Sequence, residues 1–179
     1  EEAGAGRPAM DLTTDWTVYV SNRAAARQVQ AMGARRFTLL PEDGRENMQS
    51  LLAEFGRTAT VIVYQDLPLF ISETCVSASL TGKCAGPKSC RNGGMKLAGE
   101  SGEDVRVINR GCRSVTIGEK PFCLGAHVSE LVAAGARELR VDFVWRPYLP
   151  EEAVGIWRRL REGKPLKNTH EGNWARGMM

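Results

Sequence analysis

Ala31-Met32-Gly33-Ala34-Arg35-Arg36-Phe37 recurs a hundred residues on as Ala133-Ala134-Gly135-Ala136-Arg137-Glu138-Leu139. Both stretches end a helix-like run, place a glycine at the stop, continue through Ala-Arg and enter a strand-like run. Glycine suits the left-handed backbone that closes a helix. The same joint used twice argues for repeated βα units, hence a parallel sheet or barrel.

Outward from the first joint the alternation is regular. Trp16-Thr17-Val18-Tyr19-Val20 reads as a buried strand. Ser21 and Asn22 cap a helix through Ala24–Met32. Arg36–Leu40 is the next strand, Pro41-Glu42-Asp43 turns into a helix with Met48, Leu51, Leu52 and Phe55 at helical spacing, and Thr60–Tyr64 is the third strand. Around the second joint, Leu124, Val128, Leu131 and Val132 share a helical face. Leu139–Val144 is a strand, and Pro150-Glu151-Glu152 opens a last helix through Ile156, Trp157 and Leu160.

Four or five βα-type strands are too few for a closed eight-stranded barrel, which needs about 200 residues or more. The expected fold is therefore α/β: a partial TIM-like (β/α) barrel with a Cys-rich insertion carrying a short β-hairpin. Residues 1–14 form a loose lead-in, 15–162 a single α/β half-barrel with the insertion at 72–122, and 163–179 an irregular tail. Within the insertion, Val105–Asn109 and Ser114–Ile117 alternate apolar and polar residues around Arg110-Gly111-Cys112-Arg113, the pattern of a hairpin.

A chain of 179 residues with 42% hydrophobic and 25% charged residues supports a real core. A net charge of +3 is too small to argue for nucleic acid by itself. No apolar run approaches the roughly 18 residues of a membrane span. The first residues have neither the basic start nor the apolar core of a secretion signal, so a cytoplasmic protein with reduced thiols is expected.

The chemistry concentrates in five cysteines, spaced Cys75-x8-Cys84-x5-Cys90-x21-Cys112-x10-Cys123. This is not the paired CxxC spacing of a zinc ribbon. Iron–sulfur clusters tolerate irregular spacing, because they need only four thiolates converging in space. The insertion is rich in glycine and poor in large apolar side chains, so a bound cluster would supply order that its own core cannot. Inert buried or free thiols are the plain alternative, and disulfides the weaker one. Cys123, between Phe122 and Leu124 at a helix start, reads as core. A cysteine nucleophile needs a base, usually histidine. The only histidines are His127, expected on the polar side of a helix, and His170, in an irregular segment. At strand ends, Glu42, Glu73 and Arg146 are candidate catalytic residues, since chemistry on a βα scaffold gathers there. For each alone a structural role competes: Glu42 as a helix N-terminal acid, Arg146 as a surface residue before Pro147. No dinucleotide fingerprint or phosphate loop occurs.

These residues carry a resemblance. Val63–Cys75, Gly82-Lys83-Cys84, Cys90-Arg91, Asn109-Arg110-Gly111-Cys112-Arg113 and Leu131–Phe143 resemble the peptidase U32 (collagenase-like) family, and Thr38-Leu39-Leu40-Pro41-Glu42 is similar to the family's strand ending in Pro-Glu. The likeness covers most of residues 16–162 and matches the family's C-terminal half. It implies a TIM-barrel-like fold and an iron–sulfur (4Fe–4S) enzyme for oxygen-independent hydroxylation of an RNA base or a quinone-type substrate. Prephenate is implicated as the small-molecule oxygen donor, and a further N-terminal half-barrel, in the same or a separate chain, as partner. It also implies four cysteine ligands, here Cys75, Cys84, Cys90 and Cys112. The spacing of the first three departs from the family, and Cys123 is spare. The competing readings are a peptidase (a hydrolase) and a non-catalytic half-barrel holding a structural zinc.

Overall fold

The computed structural model describes residues 10–84, 86, 94–99, 104–110 and 112–177. These form a mixed α/β fold in two compact units, and among the described residues neither sheet closes into a barrel. The first unit holds residues up to 62, 127–140 and 172 onward; the second holds 63–126 and 141–171.

In the first unit, β1 (Thr13–Thr14), α1 (Arg23–Ala31), β2 (Arg36–Thr38), α2 (Arg45–Phe55) and the first part of β3 (Ala59–Gln65) follow in sequence. β1 pairs parallel with β2, and β2 with β3, so two successive crossovers join parallel strands. Asn22 caps α1, its side-chain oxygen accepting the Ala25 N–H at 2.9 Å. The apolar faces of α1 and α2 meet the sheet: Val29, Phe37, Met48, Leu51, Leu52, Ile62 and Leu131 are buried, and Phe37 packs edge-on to Phe55 at 5.7 Å. Trp16–Val20 differs from the expected strand. Asp15 caps a short 3-10 turn, Trp16–Val18, by accepting the Trp16 N–H, and Tyr19 closes it with a left-handed backbone. The strand forms just upstream, at Thr13–Thr14.

The repeated joint is repeated in hydrogen bonds. Gly33 N–H donates to Gln30 and Ala34 N–H to Val29; Gly135 N–H donates to Val132 and Ala136 N–H to Leu131. Both glycines have positive φ, +99° and +120°, and both alanines are buried. This is a Schellman-type closure ending α1 and α4 (Val128–Ala134), and each leads to a strand three residues past its glycine, β2 and β9 (Glu138–Val141).

The second unit holds an antiparallel four-stranded sheet ordered β4 (Pro68–Ser72), β7 (Arg113–Gly118), β6 (Val105–Arg110), β5 (Gly94–Leu97). The expected hairpin is β6–β7, closed by Arg110 opposite Arg113. Helix α3 (Val76–Thr81) follows β4. β8 (Phe122–Cys123) pairs antiparallel with the end of β3, placing Cys123 opposite Tyr64. Cys123 is thus core, as its apolar neighbours suggest, but on a strand and not at a helix start. Helix α5 (Pro150–Arg161) begins with Pro150, and the Glu152 carboxylate accepts the Leu149 N–H. Its inner residue Leu160 packs with Tyr64 and Cys123, joined by Phe143, Tyr148, Ile156 and Leu166. The segment after α5 is tied in as well: Cys123 N–H donates to the His170 carbonyl at 2.8 Å.

Candidate functional site

β7 organises the candidate residues of the second unit, and it separates them. At its first end Ser114 faces Ser72 of β4. Ser114 is buried, with Oγ 2.7 Å from the Thr74 carbonyl and 2.8 Å from Asn109 Oδ1, and it accepts the Val76 N–H at 3.1 Å. Asn109 Nδ2 donates to Ser77 Oγ at 3.2 Å. One hydroxyl therefore grips the backbone on both sides of Cys75, two residues along the chain from Cys112. Cys75 begins α3 and is partly exposed; Cys84, past the helix end, and Cys112 are exposed. Cys112 occupies the hairpin turn with φ 67°, a left-handed conformation that an L side chain adopts at a cost. The structure so brings two of the expected ligands, Cys75 and Cys112, to one end of one sheet. Cys90 lies outside the described residues. Among the described residues, no three His, Cys, Asp or Glu side chains are grouped closely enough to hold a metal ion. What fits a soft metal or cluster here is the donor chemistry: three thiols in no disulfide, at a hairpin turn, at a helix start and just past that helix's end.

The same end carries charge. Glu73 pairs with Arg113 at 3.0 Å, both largely exposed, a pair worth little by itself. The Arg110 guanidinium lies over the Trp145 ring at 5.8 Å. Glu73 is thus the one candidate carboxylate beside the cysteine end.

Arg146 is at the far end of β7, about 16 Å along the strand from Arg113 at ordinary strand rise. Its guanidinium donates to the Gly118 and Glu119 carbonyls at 3.3 and 3.2 Å and pairs with Asp66 at 2.6 Å. The Asp66 side chain is fully buried, that of Arg146 is 18% exposed. Tyr148 donates to the other Asp66 oxygen at 2.9 Å, and the Tyr64 hydroxyl lies 3.0 Å from that of Tyr148. Burial, then the neighbouring Tyr64 and Asp66, push the Tyr148 phenol far up; burial chiefly raises Tyr64. For Arg146 the cost of burial is outweighed by the Asp66 bond, so the guanidinium holds its proton more tightly still. Sequence reading singled out Arg146 and missed Asp66 and Tyr148. The available signal was position, since Asp66 directly follows β3 (Ala59–Gln65), as an acid at a strand's C-terminal end.

Glu42 belongs to the first unit, where its carbonyl accepts the Asn173 side-chain N–H at 3.1 Å. His127 is also there and is not simply solvated: its ring lies 4.8 Å from that of buried Trp174, with Nδ1 3.6 Å from Glu130. The three catalytic candidates are therefore not brought to one place within either unit. No helix among the described residues is long and apolar enough to cross a membrane. The chain matches no protein-family model, no curated protein and no solved structure.

Proposed function

We propose that this chain is an iron–sulfur protein whose cluster is held by Cys75, Cys84, Cys90 and Cys112, and that it is one half of a partial (β/α) barrel enzyme for oxygen-independent hydroxylation. The observation that carries the reading is the convergence of Cys75 and Cys112 through the buried Ser114 hydroxyl. Support for the partial barrel comes from the parallel β1–β2–β3 order and the twice-used helix–strand joint. Support for the reaction class comes from the resemblance of Val63–Phe143 to the peptidase U32 family, with an RNA base or a quinone-type ring as substrate and a small carboxylate-bearing donor of oxygen.

A cluster held by four thiolates would, when bound, supply one-electron redox chemistry. The rest falls to the chain's own residues. Ser114 and Asn109 fix the backbone on which Cys75 sits. Arg110 and Arg113 place two guanidiniums beside the cysteines, fork-shaped donors matched to a carboxylate. Glu73 holds Arg113 in place of that carboxylate until the donor arrives. Arg146, bound to Asp66 and to β7, acts in this reading as a positioning residue, while Glu42 lines a pocket only in the assembled barrel. The protein is cytoplasmic in this reading, where thiols stay reduced.

Anaerobic purification with iron and sulfide analysis tests the proposal. A brown protein near the four irons of one cluster per chain bears it out, with iron lost in Cys75→Ser and Cys112→Ser. A colourless protein, iron-free even after reconstitution, overturns it. Stoichiometric zinc points instead to a structural site on the same thiolates, and peptide cleavage abolished by Cys75→Ala but indifferent to iron removal points to the peptidase.

A further inference from the structure

The chain's excess positive charge is concentrated at the end of α5. Trp157 through Lys167 contains Arg158, Arg159, Arg161, Lys164 and Lys167 against the single acid Glu162, a net charge of +4 where the whole chain has only +3. Glu162 is already matched by Lys164 at 2.7 Å. Arg159 donates to the Pro165 carbonyl, which leaves its charge unbalanced. Arg158 and Lys167 have no ion-pair partner among the described residues. The outward face of the helix is set by its inner one: Ala153, Ile156 and Leu160 turn inward, so Val154, Trp157, Arg158 and Arg161 share the solvent side. Trp157 is 45% exposed, with the Arg161 guanidinium stacked on its ring at 4.8 Å. Beside them Arg158, Arg161 and Glu162 line an open cleft of about 320 Å³.

The ordinary explanation for cations in a last helical turn is the helix dipole. It accounts for Arg158, Arg159 and Arg161 as charges. It does not account for Lys167 beyond the helix end, nor for a large aromatic left on the solvent face among the cations.

We propose that this face of α5 and the segment after it is a docking surface for single-stranded nucleic acid. The cations match a phosphodiester backbone, and the Trp157–Arg161 stack offers a planar, sequence-tolerant platform for a base. The charge that the whole-chain total conceals is therefore local. The surface is independent of the cysteine site and stands whether or not a cluster is bound there; on the hydroxylase reading it favours the RNA substrate over the quinone.

The test is fluorescence anisotropy of the full chain with a labelled oligouridylate at several salt concentrations. Binding is expected at low salt, with log affinity falling against log salt by about 0.7 per phosphate contact. Arg158→Gln/Arg161→Gln lies on the solvent face and keeps helix propensity, so its circular dichroism and metal content stay unchanged. It should flatten the salt slope by about 1.4 and weaken binding at least about tenfold at low salt. Trp157→Leu should weaken binding about fivefold or more while leaving the slope alone. No binding at low salt, an unaffected double variant, or binding to anionic phospholipid vesicles in preference to the oligonucleotide overturns the proposal. Loss of iron binding in the cysteine variants with oligonucleotide binding retained would separate this surface from the cluster reading.

Discussion

Arg146 and Asp66 form a buried pair, Nη2 to Oδ1 at 2.6 Å, in which the carboxylate is out of reach of water on every side. Both Asp66 oxygens are used, one by Arg146 and one by Tyr148. Removing one member of such a pair strands the other charge, which costs about 3 to 5 kcal/mol. Arg146→Met and Asp66→Asn should each lower the unfolding free energy by about 3 kcal/mol, read by urea denaturation. Asp66→Leu/Arg146→Met should cost well under the sum of its two single variants, because neither charge is then left alone. Additive losses would mean that the two side chains do not act as a pair.

The phenols above that pair make an alkaline prediction. Tyr64 and Tyr148 are both raised from an ordinary phenol, burial being the largest cause for each. A group with a raised folded pKa lends stability that is fully present below its unfolded pKa, about 10 for tyrosine, and is lost as pH rises beyond it. Of the three tyrosines, two should therefore stay un-ionised in the folded chain above pH 10, and their phenolate absorbance should appear together with unfolding. Smooth ionisation of all three in a chain that keeps its circular dichroism would refute the burial of this pair.

What the sequence disclosed and what it hid follow from how far apart the partners lie. The joints at Gly33 and Gly135 were legible because a Schellman closure is written in six neighbouring residues. The β6–β7 hairpin was legible for the same reason, its alternation and its turn being contiguous. Trp16–Val20 misled because apolar spacing alone fits a strand, whereas Asp15 captures the Trp16 N–H and starts a turn. Cys123 was recognised as core, but its strand was not, because its partner Tyr64 lies 59 positions away. The Asp66–Arg146 pair spans 80 positions, and Ser114 reaches Thr74 across 40. Long-range polar contacts such as these leave no local period to read. That is why Arg146 appeared as a site candidate when its observed work is to tie a strand end.

The two glycine joints are alike in backbone and unlike in surroundings, so the same substitution should separate strain from collision. A Cβ on Gly33 meets nothing within 4 Å, while one on Gly135 stands 2.6 Å from the Leu52 carbonyl oxygen. Gly33→Ala pays only for a left-handed φ, about 1 kcal/mol. Gly135→Ala adds the displacement of α2 backbone and should cost about 3 kcal/mol or more. Equal losses in thermal or urea unfolding would show that α2 does not press on the second joint.

Cys123 should behave unlike the other thiols. Burial pushes it up, against the hydrogen bonds from Gly125, Leu166 and Thr169. A buried, protonated thiol is a poor nucleophile. At pH 8, iodoacetamide followed by peptide mass mapping should modify Cys84 and Cys112 readily, with Cys123 at least about tenfold slower until urea is added. Because its folded pKa is raised, the stability it lends should fade above the unfolded value of about 8.5. Rapid labelling of Cys123 in the native chain would contradict its place between β3 and α5.

Ser114 offers the sharpest separation of scaffold from site. Its hydroxyl serves Val76, Thr74 and Asn109 at once, and Ser114→Ala would leave buried groups unpaired at about 1 to 3 kcal/mol each. If Cys75 and Cys112 hold one metal centre, loosening the residue between them should also lower metal affinity about tenfold, as outer-shell changes do, with the described thiols still present. Asn109→Ala, which removes the tie to Ser77 and one contact of Ser114, should act in the same direction and more weakly. Metal titration of the anaerobic apoprotein in the native chain and both variants gives the comparison. A Ser114→Ala chain that is destabilised yet binds metal as tightly as the native one would show that this hydroxyl serves the fold alone and that Cys75 and Cys112 are neighbours without a common ligand.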